Sequence, residues 1–103
     1  MLLYTVDTLP DKKYDLLGMV QGSTVQSKNI GKDFLAGLRN IVGGEMKGYT
    51  EMLDDARAQA TQRMSARAEA LGADAVIGIK YATSAITQGA AEIMVYGTAV
   101  RFK

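Results

Sequence analysis

From about Glu45 to Leu71 the chain carries an apolar line at helical spacing: Tyr49, Leu53, Ala56, Ala60, Met64, Ala68 and Leu71. In a chain of 103 residues that one line constrains the fold more than any other feature. At a rise of about 1.5 Å per residue it predicts a helix roughly 40 Å long, which is long for so small a protein. The line is rich in alanine, so a sheet or a second helix can approach it closely. Gly72 stands where a left-handed C-terminal cap belongs. Glu45, Glu51, Asp54 and Asp55 crowd the first half of the segment, and Arg57, Arg63 and Arg67 the second, in the order the helix dipole favours.

The flanking segments predict strands. Leu2, Tyr4 and Val6 alternate with Leu3 and Thr5 until Leu9-Pro10-Asp11-Lys12 supplies turn chemistry. Tyr14 to Gln26 reads as extended, with Leu16, Val20 and Thr24 on one face and Leu17, Met19 and Val25 on the other. Gly18 and Gly22 inside that strand mark a bulge or a close backbone approach. Phe34, Leu35, Leu38, Ile41 and Val42 then predict a short helix near 32–42 that turns at Gly43-Gly44. After the long helix, strands are expected near 74–86 and 91–102, joined by a hairpin over Thr87-Gln88-Gly89-Ala90. In the last strand Ile93, Val95 and Ala99 share one face and Met94, Tyr96, Val100 and Phe102 the other. The expected architecture is therefore α+β in two layers: an antiparallel sheet packed by one long and one short helix in the order β-β-α-α-β-β. One helical layer covers one face of a sheet, so the second apolar face predicts contact with another subunit.

Composition enters through what is missing. Cys 0 and His 0 remove disulfides, thiolate and imidazole metal ligands, and the usual nucleophile and base arrangements. A formal net charge of +1 provides no field that favours nucleic acid or an anionic membrane. The N-terminus lacks a signal-peptide pattern, and no apolar run has the length of a membrane span. The expectation is one cytoplasmic domain over 1–103, without cofactor, nucleic acid or membrane partner.

Residues that could carry chemistry have plainer structural explanations. Gly31-Lys32-Asp33 lacks the hydroxyl residue of a phosphate loop and its first glycine, since Gln26 stands there. Glu51, Asp54 and Asp55 lie at helix-face spacing, where carboxylates complement the dipole as readily as they hold a hard cation. Arg63 and Arg67 share a face that reads as solvated helix surface. The six methionines are scattered without the spacing of a soft-metal site.

Asp33-Phe34-Leu35-Ala36-Gly37-Leu38-Arg39-Asn40-Ile41-Val42-Gly43-Gly44, Tyr49, Ala56-Arg57, Met64, Ala68, Leu71-Gly72-Ala73-Asp74-Ala75-Val76-Ile77-Gly78 and Gly97-Thr98-Ala99-Val100 together resemble the YbjQ family of small bacterial proteins. The resemblance spans nearly the whole chain. It implies a dodecin-like subunit assembled as a ring-shaped homopentamer, from a family that carries a heavy-metal-binding label and no established activity. The leading expectation is a non-enzymatic homo-oligomer, its partner being itself, that takes a small ligand or ion at subunit junctions. Arg39, Glu45, Tyr49 and Arg57 are the polar residues nearest the matched motif and form the candidate ligand site. The alternatives are the heavy-metal role of the label and an enzyme using carboxylate and arginine chemistry.

Overall fold

The structure, a computed structural model, describes residues 1–26, 47–87 and 90–103, with 47–49, 86 and 87 by backbone alone. Strands β1 (Leu2–Leu3) and β2 (Tyr14–Gln26) precede helix α1 (Lys47–Ala70), and β3 (Ala75–Thr87) and β4 (Ala90–Phe102) follow it. The strands form one sheet in the order β1-β3-β4-β2, with α1 packed chiefly over β2 and β4. The chain is thus α+β. The short helix expected near 32–42 and the corner at Gly43-Gly44 lie outside the described residues.

The end of α1 follows from its local sequence. Gly72 adopts φ +81°, and its N–H donates to the Glu69 carbonyl at 2.9 Å. The Ala73 N–H reaches the Ala68 carbonyl at 3.1 Å, which completes a Schellman cap. Asp74 then ties the helix exit to the sheet: its carboxylate accepts from the Phe102 N–H at 2.8 Å, and its own N–H donates to Val100 O at 2.8 Å. Leu71 falls beyond the last helical residue and is exposed, so the contact line ends at Ala68.

Ala56, Ala60, Met64 and Ala68 are fully buried, and the last three pack with Val20, Val76, Ile79, Val95 and Ala99 in the main core. The alanines let the helix sit low on the sheet. At Gly22 the approach is so close that a Cβ would stand 2.5 Å from the Met64 backbone nitrogen and nearer still to the Ala60 carbonyl oxygen. The expectation of a close backbone approach is met there, and that of a bulge is met at Leu17-Gly18, where the β2–β4 register shifts between Leu16 and Gly18.

That bulge corrects one face assignment. Val20 and Thr24 point toward α1 as expected, but the extra residue turns Leu16 to the opposite face and Leu17 to the helix side, where it packs on the main core. A second correction concerns β1. It spans Leu2–Leu3 rather than 2–6, and it runs parallel to β3, with Leu2 opposite Ala75 and Leu3 opposite Val76. The sheet is therefore mixed, its three long strands being antiparallel. The cause is topological: β1 lies at the border farthest from β2, and two strands separate them, so no hairpin can join them. After Val6, which still lies along β3, the chain instead returns beneath the sheet, and Tyr4 and Leu9 pack with Tyr14 and Phe102 on Ala75, Ile77 and Val100. The chain thus covers one end of its own second face, which the alternation of β4 alone had assigned wholly to a neighbouring subunit.

Candidate functional site

Of the four candidate ligand residues, Arg39 and Glu45 lie outside the described residues, as does the side chain of Tyr49, whose backbone belongs to the first turn of α1. Arg57 stands on the exposed side of α1, with its Nη2 bonded to Asp54 Oδ1 one turn earlier. Such an exposed pair on one helix contributes little to stability, since water screens it and both side chains lose freedom. No described residue joins Arg57 to a second candidate. Among the described residues no group of three or more His, Cys, Asp or Glu is placed to hold a metal ion.

What the structure does assemble is a sheet surface. Beyond the part sealed by residues 4–13, the face opposite α1 presents Leu16, Met19 and Val25 from β2 at 70%, 72% and 53% exposure, with Met94 and Tyr96 of β4 half-buried beside them. At the far border of the sheet Met1, Leu2, Leu3 and Val6 form a second exposed apolar strip. Alternation along two 13-residue strands creates the first strip. The second exists because β1 is an edge strand.

Three polar features accompany these surfaces. Thr61 Oγ1 lies 2.9 Å from Tyr81 Oη and also donates to the Arg57 carbonyl at 2.7 Å, which links α1 to β3. Thr24, 4% exposed beneath the helix, has a buried hydroxyl without a hydrogen-bond partner among the described residues. Arg63 Nη1 donates to the Ser23 carbonyl at 2.5 Å, and Arg67 Nη1 to the Gln21 carbonyl at 2.7 Å. The sequence placed both arginines on solvated helix surface. They are exposed, yet bonded to the outer edge of β2. The signal available beforehand was their four-residue spacing, which matches a two-residue step on a strand.

An α+β sheet protein with one covered face, one largely open apolar face and no assembled catalytic group among the described residues is the class that fold and surface define. Residues 1–103 match the YbjQ family, described as "Putative heavy-metal-binding", and the chain belongs to that family. It is 58% identical over 101 residues to a UPF0145 protein of Clostridium novyi, covering 98% of each chain. To a UPF0145 protein of Thermus thermophilus it is 55% identical over 104 residues, covering 100% of this chain and 91% of that one. A crystal structure of a protein of unknown function in the DUF74 family, from Pediococcus pentosaceus, superposes with a TM-score of 0.71. That match covers 100% of this chain and 98% of the other at 19% identity, a likeness of fold alone. No helix among the described residues is long and apolar enough to cross a membrane.

Proposed function

We propose that this chain is a non-enzymatic subunit of a closed cytoplasmic homo-oligomer that takes a small ligand or ion at its subunit junctions. The observation that carries the reading is the open sheet face, where Leu16, Met19 and Val25 of one strand each stand more than half exposed and Met94 and Tyr96 of the neighbouring strand are half-buried. Exposed apolar surface of this kind, continuous across neighbouring strands, marks a contact surface in a soluble protein. The second apolar strip, Met1 to Val6, lies at the opposite border of the sheet, so the two surfaces differ and a contact between them runs head to tail. Head-to-tail contacts grow into fibres unless the rotation closes a ring. Five subunits and the dodecin-like arrangement are what the family resemblance contributes.

Arg57 is exposed on α1 and available to a junction, where Arg39, Glu45 and Tyr49 would join it. With neither His nor Cys in the chain, the donors left for a metal are oxygens and scattered thioethers. Oxygens suit Mg²⁺, Ca²⁺ or Mn²⁺ better than the softer heavy metals. Native mass spectrometry of protein taken directly from cells tests the reading. A single closed oligomer carrying a retained small molecule or ion is expected, and a stable monomer at micromolar concentration overturns it.

A further inference from the structure

The sheet has two outer edges, and the structure treats them differently. At the β3 edge, the N-terminal segment pairs as far as Ile79: the Tyr4 N–H donates to Val76 O at 2.9 Å, and the N–H groups of Gly78 and Ile79 donate to Val6 O at 2.7 Å and Tyr4 O at 3.1 Å. Beyond it, from Lys80 to Ala85, no described strand lies alongside that edge. Among the described residues no strand lies alongside the outer edge of β2, yet two of its carbonyls are taken.

We propose that Arg63 and Arg67 guard the outer edge of β2 by occupying the Ser23 and Gln21 carbonyls, so that this edge cannot add a strand from a second copy of the chain. Three features place the guard. Gly22 lets the α1 backbone down onto β2, so the helix lies low over the border strand of the sheet. The helix runs antiparallel to β2, since Arg63 meets Ser23 and Arg67 meets Gln21. Four residues of helix rise about 6 Å and two residues of strand about 6.7 Å, so both guanidiniums find carbonyls in register.

In an antiparallel strand the N–H and C=O of one residue point to the same side, so Gln21 and Ser23 face outward while Val20, Gly22 and Thr24 face β4. An added strand requires the outward carbonyls as acceptors. Here it would have to displace two charge-assisted hydrogen bonds and leave two guanidiniums unpaired at the new junction. Unprotected edges are templates for uncontrolled sheet extension, and proteins blunt them with inward-reaching charge. The guard directs association toward the sheet face and the β1 border, and it stands whether the native form is a monomer or a ring.

The test compares wild type with the Arg63→Ala/Arg67→Ala variant by light scattering, with infrared spectroscopy for intermolecular β-sheet, at temperatures where circular dichroism shows the native fold intact. The variant is expected to grow beyond the wild-type mass, with an onset concentration lowered by about tenfold, the scale of one lost charge-assisted hydrogen bond. Adding Ser23→Pro to that variant should suppress the growth, because proline removes an outward N–H and is tolerated on an edge. If the double variant does not fold, the single variants Arg63→Ala and Arg67→Ala should each show a smaller shift of the same kind. Wild-type mass and spectrum in the folded variants overturn the proposal, as does growth that Ser23→Pro leaves unchanged. A wild-type monomer would refute the oligomer reading without touching this one.

Discussion

Replacing Gly22 with alanine should pry the helix off the sheet. The added Cβ would meet the Ala60 carbonyl oxygen, the Met64 backbone nitrogen at 2.5 Å and Arg63 Cβ at 3.0 Å. The two nearest obstacles are backbone, which no rotamer change can move aside. Ordinary contact begins near 3.4 Å, so the helix must lift or slide by about an ångström along the stretch where Ala56, Ala60, Met64 and Ala68 are fully buried. Overpacking of this kind costs about 1–3 kcal/mol. Loss of the Arg63 and Arg67 bonds, discounted for exposure, adds about 1 kcal/mol. Removing glycine from a strand returns up to about 1 kcal/mol. The net loss of about 2 kcal/mol is a large share of the stability of a small domain and lowers the melting temperature by about 8–16 °C. Urea unfolding at fixed subunit concentration measures it, because any assembly makes stability depend on concentration. A second reading comes from a double-mutant cycle: Arg63→Ala should cost less in the Gly22→Ala background than in wild type. An unfolding free energy within about 0.5 kcal/mol of wild type, together with additive effects in the cycle, would refute the close-approach argument.

Four further outcomes are expected. Thr24→Val should raise stability by about 1 kcal/mol in urea unfolding, since it replaces a buried hydroxyl, unbonded among the described residues, by an isosteric methyl; destabilisation would show that the hydroxyl has a partner. Ala60→Leu should cost about 1–3 kcal/mol, and an unchanged melting temperature would count against the packing of α1 on β2. Met19→Lys, on the open face, should shift native mass spectra toward smaller species while circular dichroism stays the same; an unaltered mass removes that face from the interface. Isothermal titration should find no stoichiometric submicromolar Zn²⁺ or Cu²⁺ site. Such a site, lost in Glu45→Gln or Asp55→Asn, would mean that carboxylates converging across subunits replace the missing imidazole and thiolate.

Local pattern alone was enough to place the long strands and the helix. Tyr14–Gln26, Ala75–Thr87 and Ala90–Phe102 fall within a residue of the expected limits. The helix stops where Gly72 predicted, because a left-handed residue closes the cap regardless of what packs around it. The burial of Ala56, Ala60, Met64 and Ala68 was equally legible, since period and residue size are both written in the chain. The candidate ligand set was not settled in the same way: of Arg39, Glu45, Tyr49 and Arg57, the described side chains include Arg57 alone, paired with its helical neighbour Asp54.

What tertiary structure decided depends on contacts between distant segments. The faces of Leu16 and Leu17 turn on a bulge that exists through pairing with β4, and a one-residue slip reverses every side chain before it. The direction of β1 and the wrapping of residues 4–13 follow from strand order, which two short apolar residues cannot encode by themselves. Arg63 and Arg67 look like any exposed helix charges until the helix comes down beside Gly22 and brings them to the carbonyls of Ser23 and Gln21, forty and forty-six residues away. Periodicity reports which side of an element is apolar. Which partner meets that side, and at what distance, is set by the chain's return on itself.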